Sequence, residues 1–160
     1  MESEAPDRPA SRRHAVIHTD GSCAGNPGPG GWAATIRILC DDGRLAEPVV
    51  LTGRVAATDS NRMEMVAAIE ALKAFPAGTA TVFSDSRYLV RGMTEWVRPW
   101  KSRGWKNAEG RKVRNRDLWQ ELDALASGRE IAWTWVKGPA GHRENEDVDR
   151  LARAAATAAA

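Results

Sequence analysis

The stretch AVIHTDGSCAGNPGPGGWAATIRIL, residues 15–39, decides how this chain folds. Ala15 to Thr19 is a short apolar run that ends on Asp20, and Trp32 to Leu39 is a second run rich in β-branched residues, so both predict strands. Between them, GSCAGNPGPGG (21–31) concentrates glycine and proline and predicts a turn joining two strands. It is not a nucleotide-binding fingerprint. Such a motif must open a helix whose N-terminus meets the phosphate, whereas these prolines lead into the strand-like WAATIRIL.

Beyond this stretch, Asp41-Asp42-Gly43 marks a hairpin into a third strand around Leu45 to Thr52. Asp59 or Ser60 then caps a helix running to about Phe75, with Met65, Ala68, Ile69 and Leu72 at helical spacing and Pro76 and Gly78 as stops. Thr79 to Ser84 (TATVFS) predicts a buried central strand ending on Asp85, with Ser86 as the cap of the next helix. Helical signals cover about Ser86 to Gly92, Met93 to Lys101 and Arg116 to Ala126; a fifth strand falls at Glu130 to Val136 and a last helix at about Glu144 to Ala156. Hairpin-linked strands followed by alternating helix and strand predict the α/β class, a mixed sheet with helices on its faces. Residues 1–13, with two prolines and no apolar period, predict a disordered leader, 14–156 the folded domain, and 157–160 a flexible tail.

With 160 residues, 42% of them hydrophobic and 28% charged, the chain is long enough for one domain with a core of its own. No apolar run approaches the roughly 20 residues that span a bilayer. The N-terminus mixes charges of both signs before any apolar stretch, unlike a secretion signal, so a cytoplasmic location and no membrane partner are expected. Cys23 and Cys40 are too few for a disulfide framework and are expected as thiols. The net charge of +2 conceals an asymmetry: Ser86 to Asp117 carries ten basic and three acidic residues, +7, which leaves −5 for the rest. Trp96, Trp100 and Trp105 are interleaved with those cations, a mixture suited to gripping a phosphate backbone. The plainer reading is a solvated basic helix whose tryptophans pack inward.

In open α/β sheets, functional groups gather beyond the carboxyl ends of strands where the strand order switches. Asp20 and Asp85 both terminate strongly apolar strands, where a charge is costly unless solvated, paired or metal-bound. Glu64, one turn into the first long helix, can reach the same rim, and Asp149 lies on the last helix. Converging carboxylates are naturally neutralised by a hard cation such as Mg²⁺, and two such ions about 4 Å apart suit phosphodiester cleavage. His14, His18 and Cys23 lie around one strand end without zinc spacing.

TDGSCAGNPGPGG (19–31), NRMEM (61–65), SDSRYLVRGMTEW (84–96), WKSRGWK (100–106), DLWQELD (117–123) and WVKGPAGHRENEDVDRLARAAA (135–156) together resemble type 1 ribonuclease H of the bacterial kind, in order along nearly the whole chain. The resemblance implies a ribonuclease H-like fold, with a mixed five-stranded sheet whose first three strands are antiparallel and the rest parallel. It implies an endoribonuclease, monomeric, that hydrolyses the RNA strand of RNA–DNA hybrids by two-metal-ion catalysis with Mg²⁺, for which Mn²⁺ substitutes, leaving 5′-phosphate and 3′-hydroxyl ends. By the same matching the metal-binding carboxylates are Asp20, Glu64, Asp85 and Asp149, the last owed mainly to the resemblance. The protrusion that grips the DNA strand matches Trp96, Trp100, Lys101, Arg103, Trp105 and Lys106; Asn115 would hold a DNA phosphate; and Cys23, Asn26, Ser60, Asn61 and Arg87 would line the minor groove. Reading 2′-hydroxyls there selects the RNA strand without selecting sequence.

Three departures stand out. The histidine that the family usually carries in the loop before the last helix is matched by Pro139, which cannot titrate. His142, three residues on, is the nearby group suited to proton transfer near neutral pH, or else a cap of the last helix. Asp59 replaces a common hydroxyl residue beside a DNA phosphate, and Arg87 replaces a common glutamine. Two rival readings remain. A DNA exonuclease of the same fold would carry a D-x-E pair on the first strand, whereas Gly21-Ser22 follow Asp20. A hybrid-binding module without catalysis would gain nothing from four acids placed where phosphates must approach.

Overall fold

The computed structural model describes residues 13–138 and 142–158. Residues 1–12 of the expected leader, the end of the expected tail and Pro139 therefore lie outside the described residues, while the Arg13 carbonyl accepts the Thr79 N–H at 2.9 Å. A five-stranded sheet has the order β3-β2-β1-β4-β5, built from β1 (His14–Cys23), β2 (Gly28–Ile38), β3 (Val49–Thr58), β4 (Thr79–Ser84) and β5 (Ile131–Trp135). The β1–β2 and β2–β3 pairs are antiparallel and the β1–β4 and β4–β5 pairs parallel, so the sheet is mixed as the sequence predicts. Among the described residues five α-helices accompany it: α1 (Ser60–Ala74), α2 (Arg87–Arg91), α3 (Val97–Ser102), α4 (Arg116–Ala126) and α5 (Arg143–Thr157).

The first three strands differ from expectation at their boundaries, the third also running on to Thr58 rather than Thr52. The hairpin at 21–31 is mostly ladder, since Ser22 pairs with Gly31 and Cys23 with Gly30, leaving only residues 24–27 as the turn. Its glycines serve close packing: a Cβ on Gly21 would run into the Met63–Glu64 backbone, and one on Gly31 into the backbone of α5 at Ala152 and Ala155–Ala156. Asp20 therefore sits inside β1, paired with Ala33, rather than at its end. The third strand begins at Val49 instead of Leu45, because Pro48 has no N–H to offer the ladder; Leu45 makes only an isolated bridge to Leu39. The two short helices α2 and α3 join through a π-helical turn, Gly92–Trp96. Gly92 there lies against the ring of Trp119, leaving no room for a Cβ.

Side-chain alternation puts the two faces of the sheet to different use. Ile17, Ala34, Ile36 and Val82 join Met65, Ile69 and Leu72 of α1 and Trp119 and Leu122 of α4 in the main core. Ala33, on the opposite face of β2, packs with Val148 and Ala152 of α5. α1 and α5 thus clamp the β1–β2 hairpin from two sides. Asp59 caps α1 by accepting the Arg62 N–H at 2.9 Å, and Ser86 caps α2 by accepting that of Leu89 at 3.0 Å. No helix among the described residues is long and apolar enough to cross a membrane.

Candidate active site

β1 and β4 run parallel and their register ends with His18 opposite Phe83, so Asp20 and Asp85 follow at the same offset, two residues on, at the carboxyl end of the pair. This is the switch point of the sheet, where β1 has an antiparallel neighbour on one side and a parallel one on the other. Glu64 reaches the same point from α1, which the bare backbone of Gly21 allows to approach β1 closely. One carboxylate oxygen from each of Asp20, Glu64 and Asp85 lies within 4.8 Å of the others.

Burial makes this trio electrostatically costly. Asp20 is 2% exposed, and Glu64 Oε1 is sealed from solvent with no hydrogen-bond partner among the described residues. Desolvation first, then the charge of Asp85 and a hydrogen bond to Asp149, push the Asp20 carboxyl up to about 8, although the Gly21 N–H at 2.9 Å pulls the other way. Glu64 is raised well above its ordinary range by burial and by the charges of Asp20 and Asp85, and Asp85 is raised chiefly by burial. An all-oxygen donor set with an orphaned buried oxygen fits a hard divalent cation such as Mg²⁺ or Mn²⁺, which would replace the protons the cluster otherwise retains.

Asp149 projects from α5 toward Asp20 and is held by Arg153 one turn on, at 3.1 Å. It stands beside the trio as its fourth carboxylate. His142 is the N-cap of α5: its Nδ1 accepts the Asn145 N–H at 3.3 Å. Its ring lies 5.5 Å from that of His18, which burial drives down to about 4.

The remaining residues expected to meet the substrate lie on several elements. Cys23 sits at the hairpin, its thiol within donating distance of the Gly28 and Thr58 carbonyls at 3.4 and 3.3 Å, and neither cysteine is in a disulfide. Asn26, Ser60, Asn61 and Arg87 are exposed. Asn115, held in the left-handed region at φ 58°, accepts from Arg62 and donates to the Tyr88 hydroxyl, both at 3.0 Å. Trp96 and Trp100 pack inward with Tyr88 and Trp119, as the plainer reading of the basic segment expects. Lys101, Arg103 and Lys106 nevertheless remain exposed, with Lys101 paired to Asp123 at 3.1 Å and Trp105 half-buried.

Two supporting residues escape the sequence reading. Trp135 donates its indole N–H to the Asp85 carbonyl at 3.1 Å and lies under the Arg87 guanidinium, 4.3 Å from its ring centre. Arg62 grips Asp117 at 2.8 Å as well as Asn115. Both pairings join segments about 50 residues apart in sequence, and no local pattern announces them.

Residues 12–157 match the family model described as RNase H. A ribonuclease H of Paracoccus denitrificans is 48% identical over 137 residues, covering 85% of this chain and 88% of that protein. The crystal structure of LC9-RNase H1, a type 1 RNase H with the type 2 active-site motif, is 35% identical with a TM-score of 0.82, covering 94% of this chain and 74% of that one. LC11-RNase H1, solved in complex with an RNA/DNA hybrid, is 19% identical over 89% of this chain and 96% of that one, and with a TM-score of 0.65 shows likeness of fold.

Proposed function

The chain belongs to the RNase H family, as a nuclease of that kind, and on that basis we propose that it cuts the RNA strand of RNA–DNA hybrids endonucleolytically, leaving 5′-phosphate and 3′-hydroxyl ends. The observation that carries the reading is the convergence of Asp20, Glu64 and Asp85 at the sheet's switch point, with Asp149 beside them. In this reading the four carboxylates hold two Mg²⁺ ions, with Mn²⁺ able to substitute. Such ions, when bound, supply an activated water and stabilise charge on the leaving oxygen.

The protein's own residues bind and orient the substrate. Cys23, Asn26, Ser60, Asn61 and Arg87 surround the carboxylates and face the minor groove, where 2′-hydroxyls distinguish RNA from DNA. Trp96, Trp100, Lys101, Arg103, Trp105 and Lys106 grip the DNA strand, and Asn115 takes one of its phosphates. His142 assists proton transfer or release of product in place of the histidine that Pro139 displaces. The folded domain is taken as 14–156, working as a cytoplasmic monomer, which sedimentation of the purified chain checks.

The test is cleavage of a labelled hybrid with Mg²⁺, with Mn²⁺ and with chelator, beside single-stranded RNA and duplex DNA controls. Cutting confined to the hybrid's RNA strand, lost on chelation and reduced on the order of 100-fold or more in Asp85→Asn, supports the enzyme. Tight hybrid binding with no cleavage in either metal would instead identify a binding module.

A further inference from the structure

Beside the acidic trio, the fold brings a histidine of the first strand to two groups at the start of the last helix, far along the sequence. His18 of β1, His142 at the cap of α5 and Glu144 in the first turn of α5 each offer a ligand atom, all within 4.8 Å of one another. His18 is 5% exposed, and its Nδ1 has no hydrogen-bond partner among the described residues. A buried ring nitrogen left unpaired costs free energy unless something binds there. The cluster is reachable: Glu144 lines a groove of about 270 Å³ with Thr35, Arg37 and Asp147, and Thr35 is the β2 residue paired with His18. Of the two arginines lining that groove, Arg37 and Arg143, Arg37 is turned to the Ala46 and Leu45 carbonyls at 2.9 and 3.3 Å.

We propose that His18, His142 and Glu144 form a second metal site, which takes a borderline transition cation such as Zn²⁺ in preference to Mg²⁺. Two imidazoles and one carboxylate are the donor set such cations favour, leaving a fourth position for water, whereas Mg²⁺ prefers oxygen donors alone. The site is separate from the trio of acids: His18 precedes Asp20 by two residues on the same face of β1, roughly 7 Å along the strand. A tetrahedral ion with bonds near 2.0 Å holds its ligand atoms about 3.3 Å apart, within the 4.8 Å limit that encloses these three.

Binding has a structural cost that makes it visible. Metal on His142 Nδ1 takes the lone pair that the Asn145 N–H uses, and metal on Nε2 forces the ring proton onto Nδ1. Either way the 3.3 Å cap bond is exchanged for a link between β1 and the start of α5, the helix that bears Asp149.

The experiment is calorimetric Zn²⁺ titration of the full, chelator-stripped chain carrying Asp20→Asn and Asp85→Asn, with Mg²⁺ in excess to silence the acidic site. Co²⁺ in place of Zn²⁺ adds a visible spectrum whose intensity reports four-coordination. One equivalent is expected to bind, with affinity falling on the order of 100-fold in His18→Phe and in Glu144→Gln. Phenylalanine keeps the stacking of residue 18 on Phe83, whose ring centres lie 4.9 Å apart. Should that variant fail to fold, Glu144→Gln, half-exposed in the first helical turn, decides alone. Undiminished Zn²⁺ affinity in the folded variants, or no binding at micromolar Zn²⁺, would overturn the site. Neither result depends on hybrid cleavage, so the nuclease reading stands or falls separately.

Discussion

At the scale of single residues, the chemistry turns on protons that a cation must displace. The Asp20 carboxyl rises from 3.8 to about 8 in the folded chain, with Glu64 and Asp85 also raised. A raised folded-state value means that between pH 4 and 8 the native state binds more protons than the unfolded one, so stability falls as pH rises through that window. His18, lowered to about 4, acts in the opposite sense below its unfolded value of 6.5, so the metal-free protein should melt at progressively lower temperature from pH 6.5 to pH 8, a trend that Asp20→Asn weakens. Millimolar Mg²⁺ should restore most of the loss at pH 8, because a ligand that binds only the native state stabilises it. Calorimetric melts in chelator and in Mg²⁺ check this, and a flat pH profile in chelator would contradict it. His142 invites a second test, since its cap and its proposed part in proton transfer are separable. Asparagine caps a helix well but cannot carry a proton at neutral pH. His142→Asn is expected to keep the melting temperature within about 2 °C while lowering turnover several-fold, and unchanged turnover would leave His142 only its cap.

At the scale of elements, the site depends on how closely α1 lies on β1. Gly21→Ala drives a methyl group into the Met63–Glu64 backbone, so it should destabilise the chain by roughly 1–3 kcal/mol. It should also lower turnover beyond any loss of folded protein, because Glu64 moves with the helix; urea melts and kcat on the same samples separate the two effects. The cap of α1 allows a cleaner distinction. Asp59→Ala forfeits the bond to the Arg62 N–H and should cost about 1 kcal/mol, whereas Asp59→Asn keeps the cap and removes a charge from the approach of the DNA strand. Hybrid affinity is therefore expected to rise in Asp59→Asn, measured by fluorescence anisotropy in Ca²⁺ or chelator. These elements also show where sequence is informative. TATVFS followed by Asp85 is a local pattern, and so are the 3.6-residue period of α1 and the resemblance-bearing motifs, so the order and type of elements are legible. The start of β3 is obscured because Pro48 decides it. The extent of the hairpin ladder is hidden because its glycines answer to Met63, Thr58 and Ala156, residues far along the chain. Asp20, Glu64 and Asp85 are readable for the same local reasons, while Trp135, Arg62 and the partners of His18 are fixed only by packing.

At the scale of the whole molecule, charge is divided between a basic segment and an acidic remainder. The segment from Ser86 to Asp117 carries +7 while the remainder carries −5, and the buried acids sit at the seam between β1 and β4. A divalent ion at that seam lowers the local negative charge as the phosphate arrives, so cation and hybrid should bind cooperatively. The basic arm acts at longer range. Arg103 and Lys106 stand exposed on the turn after α3, while the aromatic cluster of Tyr88, Trp96, Trp100 and Trp119 anchors that arm to the core. Each phosphate such a cation neutralises releases counterions, which steepens the fall of affinity with salt by about 0.7–0.9 in the slope of log K against log salt concentration. Arg103→Ala and Lys106→Ala should each reduce that slope by this amount and weaken hybrid binding at low salt, while leaving kcat at saturating hybrid nearly unchanged. Trp100→Ala should behave differently, lowering the melting temperature because it opens the cluster against Trp119. If the two cation variants left the salt slope untouched, the arm would be a solvated helix end, and the grip on the DNA strand would have to come from elsewhere on the surface.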